Sequence, residues 1–272
     1  MEKHLEQDLI EDYVNKVPLK ELKKKYKTSS DTIYKILDSN SIKRANHKDL
    51  SKFKHLTEDT LYWLGYLCAD GNIEYSPNKR IYKVSLFSKD ECVVDDFITY
   101  FGDICKKYQR KQNGIFEVAI HSKELCEFFI EELNIIPNKG LQLDPNLPYT
   151  PSFIRGYFDG DGSIRGGGRT EAKFTSGSKI FIDKLSGIFI NLGIYFVIRE
   201  KGNAYDICFE RKSEVLKLYK FLYSENGQKL KRKLDNFVAI YGNIDENNTV
   251  NCGNEIDNPQ PSLLEITKRF ND

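Results

Sequence analysis

The chain has 272 residues and a formal net charge of +1, and 40% of its residues are hydrophobic, so it is long and apolar enough for two modest domains or for one large domain with an appendage. Its six cysteines form no Cys-x-x-Cys pair, which argues against structural zinc and against a disulfide framework. No apolar run approaches the roughly 18 residues of a membrane span and the acidic N-terminus is unlike a signal peptide, so we expect a soluble, intracellular protein without a membrane partner.

The charge is distributed unevenly along the chain. Between Lys16 and Leu56, twelve Lys and Arg residues stand against four Asp and Glu, whereas residues 243–272 carry six acids and two bases. A basic N-terminal block is typical of a segment that contacts phosphate groups, and a merely well-solvated module is the alternative.

Residues 5–44 predict three short helices, because apolar residues recur there at helical spacing. Ser29 or Ser30 is expected to cap the third helix, SSDTIYKILDSN, which carries the acidic Asp31 in its first turn. The apolar residues of these helices are expected to form one small core, made of Leu19, Leu22, Tyr26, Ile33, Ile36 and Leu37.

The third helix resembles the recognition helix of resolvase- and invertase-type helix-turn-helix domains, which lies in the major groove of DNA. The resemblance implies that residues 1–45 form a DNA-binding domain, with protein–protein contact as the alternative role. The implied DNA contacts in this helix are Ser30, Thr32, Tyr34 and Lys35.

A basic linker is expected at residues 46–57. Together with Lys43 and Arg44 just ahead of it, this segment is a candidate for contact with a phosphate backbone.

The rest of the chain contains an internal repeat. LYWLGYLCADGNI at residues 61–73 and SFIRGYFDGDGSI at residues 152–164 align on their glycines, so that Asp70 falls on Asp161. The same order of signals follows both segments: alternating strand residues, a helix, a hairpin and a closing helix. In the first copy these signals lie at residues 80–88, 89–102, 105–122 and 123–135, and in the second at residues 170–177, 178–193, 195–210 and 212–224.

These signals predict the α+β class. The expected architecture is a tandem of αββαββα units related by pseudo-symmetry and preceded by the small all-α helix-turn-helix domain. We expect the units at residues 58–148 and 149–242, and a mostly unstructured tail at residues 243–272.

Each of the two aligned segments predicts a helix, called a motif helix below, and small residues line one face of each. Gly65 lies four residues before Ala69, and Gly156 lies four before Gly160, so each helix presents two small residues on the same side. Such faces let two helices approach closely, and we expect Gly65 and Gly156 to form the interface between the units.

Two aspartates stand at the ends of these helices. Asp70 and Asp161 each precede a glycine, Gly71 or Gly162, that suits the left-handed position after a helix. Two carboxylates at adjacent helix ends repel each other unless a cation is present, and hard oxygen ligands suit Mg²⁺. For a single Asp-Gly pair, ordinary turn chemistry is the alternative. The candidate metal ligands are these two carboxylates and two backbone carbonyls, those of Asp70, Asp161, Ala69 and Gly160.

The segments WLGYLCADG and IRGYFDGDG resemble the motif of the LAGLIDADG homing endonuclease family, and the likeness extends over about residues 58–240. It implies a site-specific endonuclease of intron homing that cuts double-stranded DNA at a long asymmetric target and acts as a monomer. It also implies phosphodiester hydrolysis with a divalent metal, Mg²⁺ with Mn²⁺ as a substitute, held by the two motif aspartates. Cys68 stands against Asp159, at a position where the family varies.

The resemblance further implies one lysine near the reacting phosphate in each repeat. We map these lysines to Lys139 and Lys231, with Lys233 as a competitor for the second. A cation there would offset the charge that develops on phosphorus. The alternative is that these lysines contact only the phosphate backbone.

Alternation along the strands predicts which side chains face DNA in the implied fold. Tyr82, Val84 and Leu86 are expected to pack on helices, and in the second unit Ala172 and Phe174 are expected to do so. A shift of one residue would exchange the two faces, and a merely solvated polar face is the alternative. The outward candidates for base contact are Lys83, Ser85, Arg110, Lys173, Thr175, Arg199 and Lys201.

A non-cleaving nucleic-acid binder on the same scaffold is the alternative function. It would be either a maturase that acts on intron RNA or a transcription regulator. Members of the family that lose cleavage commonly lose one or both motif acids, and this chain keeps Asp70 and Asp161. The presence of both acids favours the enzyme.

Overall fold

The structure is a computed structural model that describes residues 3–15, 17, 19–42, 49–110, 114–137, 143–166, 170–223 and 226–241. The chain divides into two compact units, Met1–Asp49 and Leu50–Asp272. In the described ranges, no helix is both long and apolar enough to cross a membrane.

The first unit contains three helices, as the apolar spacing predicts. They are α1 (Lys3–Val14), α2 (Leu19–Lys25) and α3 (Ser30–Ser39). Ser29 is the N-cap of α3, and its hydroxyl accepts a hydrogen bond from the backbone N–H of Thr32. The buried core of this unit consists of Leu9, Tyr13, Leu22, Ile33, Ile36 and Leu37.

The second unit begins in the segment that we expected to be a linker. Residues 51–54 form the short helix α4 (Ser51–Lys54), and Phe53 is only 1% exposed. Its ring stacks on Phe101 at a centroid distance of 4.2 Å, and Leu50 and Leu56 are buried in the same core. The expected linker at residues 46–57 is therefore wrong for its second half, because three apolar side chains anchor that half in the core.

The first repeat has the predicted order αββαββα, and its sheet is antiparallel with strand order β1-β2-β4-β3. The closing helix α7 continues as a π-helical turn over Phe128–Glu132. The elements are α5 (Glu58–Asp70), β1 (Gly71–Ser76), β2 (Ile81–Ser88), α6 (Glu91–Phe101), β3 (Cys105–Arg110), β4 (Ile115–Ile120) and α7 (Lys123–Glu127).

The second repeat has the same order and the matching sheet, β5-β6-β8-β7. The final helix is not among the sequence predictions, since its first turn, KRK, looks like an exposed basic segment. The elements are α8 (Pro151–Asp161), β5 (Ser163–Arg165), β6 (Glu171–Ser176), α9 (Lys179–Asn191), β7 (Val197–Lys201), β8 (Ala204–Phe209), α10 (Lys212–Leu222) and α11 (Lys231–Tyr241).

One hydrophobic core runs through both repeats. In the first repeat Trp63 of α5 contacts Phe97 of α6 at 5.2 Å between centroids, and in the second Phe158 of α8 contacts Phe174 of β6 at 5.0 Å. Each motif helix thus packs against its own sheet layer while also contacting the other motif helix. The α+β tandem that the sequence predicts is confirmed.

The trailing segment of each repeat contacts the other repeat at matching turns. Ser178, at the start of α9, donates a hydrogen bond from its hydroxyl to the carbonyl of Leu143, which follows the first repeat. Arg232 of α11 pairs with Asp90, at the start of α6, with 3.0 Å between Nε and Oδ2. Asp90 and Ser178 occupy the same place in the two repeats, two residues after a serine whose hydroxyl accepts their backbone N–H.

Candidate active site

The motif helices α5 and α8 touch backbone to backbone. A Cβ on Gly65 would overlap the carbonyl oxygen of Phe153 and lie 2.9 Å from the backbone nitrogen of Tyr157. A Cβ on Gly156 would likewise overlap the carbonyl oxygen of Tyr62. Only glycine allows this approach at both positions, which are the two that the sequence assigns to the interface.

The two helices run parallel, so that their C-terminal ends meet. The contacts advance along both helices together, from Gly65 against Phe153 to Ala69 against Gly160. The side chain of Asp70 lies at this end, since its Oδ2 is 3.5 Å from the position that a Cβ on Gly160 would take. Asp161 follows Gly160 directly, and both aspartates therefore stand at one place.

The glycines after the helices do not adopt the left-handed conformation that we expected. Gly71 has φ −88° and ψ 167°, and Gly162 has φ −78° and ψ 164°, which is extended backbone in both cases. Their glycine character has a steric cause instead. A Cβ on Gly71 would overlap the carbonyl oxygen of Leu67, and one on Gly162 would overlap the ring of Phe158. The chain thus passes straight from each helix into β1 or β5.

Each motif aspartate has a buried tyrosine one turn before it. Burial raises the pKa of the Tyr66 hydroxyl, and the negative charge of Asp70 raises it further. Burial and then the charge of Asp161 raise the pKa of Tyr157 in the same way. Both phenols are therefore neutral at ordinary pH and add no negative charge beside the two carboxylates.

Lys233 lies at the end of α8. Its ammonium donates hydrogen bonds to the carbonyl oxygens of Phe158, Gly160 and Gly162, at 3.2 Å for Gly160 and 2.6 Å for Gly162. Burial lowers the pKa of this ammonium to about 8, although the charges of Asp159, Asp70 and Asp161 act in the opposite direction. A cation therefore stands where two helix dipoles and two carboxylates present negative charge.

The structure corrects our choice of Lys231 over Lys233. Lys231 is 84% exposed and pairs with Asp235 on the outside of α11, whereas Lys233 is 3% exposed. Side chains two residues apart on a helix point in directions that differ by about 200°, so only one of Lys231 and Lys233 can face the end of α8. Lys139, the candidate from the first repeat, lies outside the described residues.

Two buried charges on α8 escaped the sequence interpretation. Arg155 is 1% exposed and Asp159 is fully buried. Asp159 accepts hydrogen bonds from the backbone N–H of Leu230 at 2.7 Å and from the hydroxyl of Tyr62 at 3.0 Å. Burial raises its pKa to about 6 against the opposing effect of these bonds. An Arg and an Asp four residues apart inside an apolar helix are the sequence signal that points to such a network.

A cavity of about 450 Å³ opens beside Asp70. Tyr66, Ser88, Asp90 and Arg232 line it, so its wall includes the Arg232–Asp90 pair that links the repeats. The site therefore offers space, a carboxylate and a guanidinium at one edge of the helix ends.

The donor set fits a hard divalent cation in its chemistry. Asp70 and Asp161 bring two carboxylates to one place, and Ala69 and Gly160 bring backbone carbonyls beside them. The Gly160 carbonyl also accepts a hydrogen bond from Lys233. Within the described residues no group of three or more His, Cys, Asp or Glu side chains is arranged to hold a metal. Such a cation would thus depend on the aspartate pair, backbone carbonyls and oxygens from outside the chain.

Comparison with known proteins agrees with the motif. The sequence model of the LAGLIDADG-like domain matches residues 150–234. Residues 150–234 are a LAGLIDADG-like domain. The matched range contains the second motif and spans α8 to the first residues of α11.

The chain was also compared with solved structures of homing endonucleases. The homing endonuclease I-WcaI bound to its DNA recognition sequence superposes with a TM-score of 0.51 at 12% identity, over 73% of this chain and 96% of that one. The complex of I-DmoI with DNA and Ca has a TM-score of 0.49 at 16% identity, over 65% of this chain and 96% of that one. At 12% identity, the likeness to I-WcaI establishes the fold.

One curated protein is similar in sequence. The DNA-directed RNA polymerase subunit Rpo1C of Methanocaldococcus jannaschii is 25% identical over 170 residues. The match takes in 60% of this chain but spans only about a fifth of the length of that relative (19%). The similarity therefore concerns a segment of that protein.

On the outer face of the first sheet, Lys83 is held by two acidic side chains. Lys83 pairs with Glu74 at 2.5 Å and with Glu117 at 3.2 Å, and these two carboxylates outweigh burial and raise the pKa of its ammonium. Ser85, which we expected to face outward for base contact, is 1% exposed. It lies on the outward face with Lys83, as alternation predicts, and it is covered because its hydroxyl donates to Glu117 at 3.1 Å; its contact with a base stays a prediction. The side chain of Arg110 lies outside the described residues.

The second LAGLIDADG sheet has an equivalent cluster around Asp206. Lys173 and Lys201 each lie 3.2 Å from its Oδ2, and Thr175 donates to its Oδ1 at 2.7 Å. Burial alone would raise the pKa of Asp206, but these donors lower it. Arg199 pairs with Glu210 at 2.5 Å on the neighbouring strand. Three of the candidates for base contact on this sheet, Lys173, Thr175 and Lys201, are thus brought together around Asp206, whereas Arg199 is held by Glu210.

The candidates in the first unit lie on α3. Thr32 and Lys35 are exposed, Ser30 is half-buried, and Tyr34 packs partly against the small core. Lys43 and Arg44 lie outside the described residues. The DNA-binding role of this helix stays a prediction.

Proposed function

We propose that the chain is a site-specific endonuclease that hydrolyses phosphodiester bonds in double-stranded DNA. The observation that carries the proposal is the meeting of Asp70, Asp161 and Lys233 at the shared end of two motif helices packed backbone to backbone. The two carboxylates can hold a divalent cation, and the lysine ammonium can stabilise the negative charge that develops on a phosphodiester during hydrolysis.

Each residue has a task in this proposal. Asp70 and Asp161 hold a divalent cation, Mg²⁺ with Mn²⁺ as a substitute, assisted by the carbonyls of Ala69 and Gly160. When bound, such a cation supplies an activated water and charge neutralisation at phosphorus. Lys233 keeps a positive charge beside the reacting phosphate, and the fixed backbone around it keeps that charge in place.

The target is long, asymmetric, double-stranded DNA, and the chain acts on it as a monomer. The two repeats differ in sequence, so Lys83 beside Glu117 and the two lysines around Asp206 contact different base pairs. I-WcaI, whose fold the chain shares, was solved on its DNA recognition sequence. An intracellular location is part of this proposal, because genomic DNA is found there.

The non-cleaving binder of intron RNA or of promoters is not favoured. A protein that only binds gains nothing from two carboxylates brought next to each other at helix ends, where they repel the phosphate backbone. This chain keeps Asp70 and Asp161 in that position.

The test is the Asp161→Asn variant in a cleavage assay. We expect strand cleavage with Mg²⁺ to fall by about 100-fold or more, because a neutral amide is a weaker ligand than a carboxylate and no longer fixes the position of the cation. DNA affinity, measured by gel shift without Mg²⁺, should stay within about twofold of the wild type, since the sheets carry the binding. A library of random DNA, selected for cleaved molecules, supplies the substrate.

The matched control is Asp183→Asn, which makes the same change at an exposed ion pair with Lys179 on α9. It should cut like the wild type. Wild-type cleavage rates in folded Asp161→Asn would contradict the proposal, and so would a wild-type protein that binds DNA but yields no cleaved molecules from the library.

The first unit is proposed to add affinity through α3. Deletion of residues 1–49 should weaken DNA binding and reduce the slope of affinity against salt concentration, because Lys35 and the basic residues around it no longer meet phosphates. The position of the cut should not move. An unchanged salt slope would refute this role.

A further inference from the structure

Arg155 and Asp159 bracket one segment of the chain from the side of α8. The guanidinium of Arg155 donates to the carbonyl of Leu222 at 2.8 Å and to that of Gln228 at 2.9 Å. Asp159, one turn later, accepts from the backbone N–H of Leu230 at 2.7 Å. The end of α10 and the approach to α11 are thus both tied to one face of α8.

Lys233 completes this series of contacts one turn further along α8. Its ammonium has three N–H donors, and three backbone carbonyls take them up, those of Phe158, Gly160 and Gly162. Three successive turns of α8 therefore bind the segment of residues 222–233. The last of these contacts is that of the lysine beside the motif aspartates.

Packing alone does not account for these charges. At the equivalent positions of α5 the first repeat has Leu64 and Cys68, which are buried in the same core. Buried ionic groups rarely stabilise a fold more than apolar residues of similar size, but they do fix geometry when every hydrogen bond is made. In the second repeat the buried charges of Arg155 and Asp159 lie next to the segment that carries Lys233 to the end of α8.

We propose that Arg155 and Asp159 are positioning residues that keep Lys233 docked on the end of α8. Asp159 acts through the Leu230 amide, which lies one turn before the lysine, and Tyr62 of the first repeat donates to the same carboxylate oxygen. This role rests on the proposed function, because there Lys233 has a catalytic task.

Lysine labelling tests the docking without any DNA. A water-soluble acetylating reagent should modify Lys233 slowly in the wild-type protein and Lys231 quickly, since they are 3% and 84% exposed on the same helix. In Asp159→Leu, the ratio of Lys233 to Lys231 modification should rise about tenfold, because local opening of the segment exposes the ammonium. Mass spectrometry of the peptide that contains both lysines gives the ratio.

The conservative variant Asp159→Asn should restore protection of Lys233, since an amide oxygen still accepts from Leu230 and Tyr62. Tyr62→Phe removes only one hydrogen bond and keeps the ring, so it gives a smaller rise, about twofold to threefold, and serves if Asp159→Leu does not fold. Asp235→Asn, on the exposed side of α11, should leave the protection of Lys233 unchanged.

Cleavage is the second measurement. At saturating protein, the single-turnover rate of Asp159→Leu should fall by about tenfold or more, with DNA affinity within about twofold of the wild type. Folded Asp159→Leu and Tyr62→Phe that both protect Lys233 like the wild type would overturn the positioning role. So would an Asp159→Leu variant that exposes Lys233 and still cuts at the full rate. A wild-type protein that cuts no DNA refutes the proposed function instead, while the labelling ratio still tests the docking.

Discussion

The two repeats are alike where their motif helices meet and differ on the faces that turn away from that contact. Gly65 and Gly156 each place a helix against the partner's backbone, and β1 and β5 leave their helices in the same extended conformation. On the far side, the apolar Leu64 in the first repeat is matched by the buried Arg155 in the second.

This difference separates two kinds of constraint. A contact between backbones leaves no room for a side chain, so both repeats are held to glycine for the same steric reason. A helix face that packs only against side chains can carry either apolar residues or polar residues whose hydrogen bonds are all made. The second repeat has taken the polar one, and with it a docked lysine at the helix end.

The largest effect is expected at the shared contact. Gly156→Ala and Gly65→Ala should each lower the free energy of unfolding by about 3 kcal/mol or more, because the added methyl group overlaps a backbone carbonyl that cannot move alone. Gly187→Ala, in α9 with open space around it, should instead stabilise by about 0.5–1 kcal/mol. Urea denaturation measures all three. Unequal losses at the two interface glycines would break the equivalence of the repeats.

A smaller effect is expected on the faces that differ. Arg155→Leu, which gives the second repeat the residue of the first, should cost about 2–3 kcal/mol because the Leu222 and Gln228 carbonyls lose their donor. The double variant Arg155→Leu/Asp159→Cys should cost less than the sum of its two single variants, since neither charge then stays buried alone. Strict additivity in urea denaturation would show that the two charges do not act together.

The smallest effect concerns the sheet of the second repeat and depends on pH. Asp206 has a pKa below its ordinary value in the folded protein, so its bonds to Thr175 and Lys173 stabilise the fold above the pKa of the unfolded chain and are lost as the pH falls through the folded value. Asp206→Asn should therefore cost about 1–2 kcal/mol at pH 7 and less at pH 3, by urea denaturation at each pH. A cost that does not change with pH would contradict this assignment.

The repeat architecture could be predicted from the sequence because its signals are local. Alternation gave the inward residues of β2 and β6, and Val84, Leu86, Ala172 and Phe174 are all buried as expected. The hairpin turn at Gly202, with φ 59°, follows from a glycine next to an asparagine between two alternating runs. Periodicity and turn chemistry suffice for such elements.

The remainder depends on contacts between distant parts of the chain. Nothing in the local sequence distinguishes Lys233 from Lys231, because only the direction in which α11 starts decides which one is buried. Phe53 looked like part of a basic linker, since its stacking partner Phe101 lies 48 residues away. Ser85 likewise fits an exposed strand face until Glu117 is known to lie over it.

The crossed contacts of Ser178 with Leu143 and of Arg232 with Asp90 make the repeats complementary fragments rather than independent modules. Each repeat is followed by a segment that contacts a turn of the other repeat. Without its partner, each repeat would also expose the glycine face of its motif helix. If the chain were cut between the repeats and produced as two polypeptides, assembly of the two halves would itself bring Asp70 and Asp161 together.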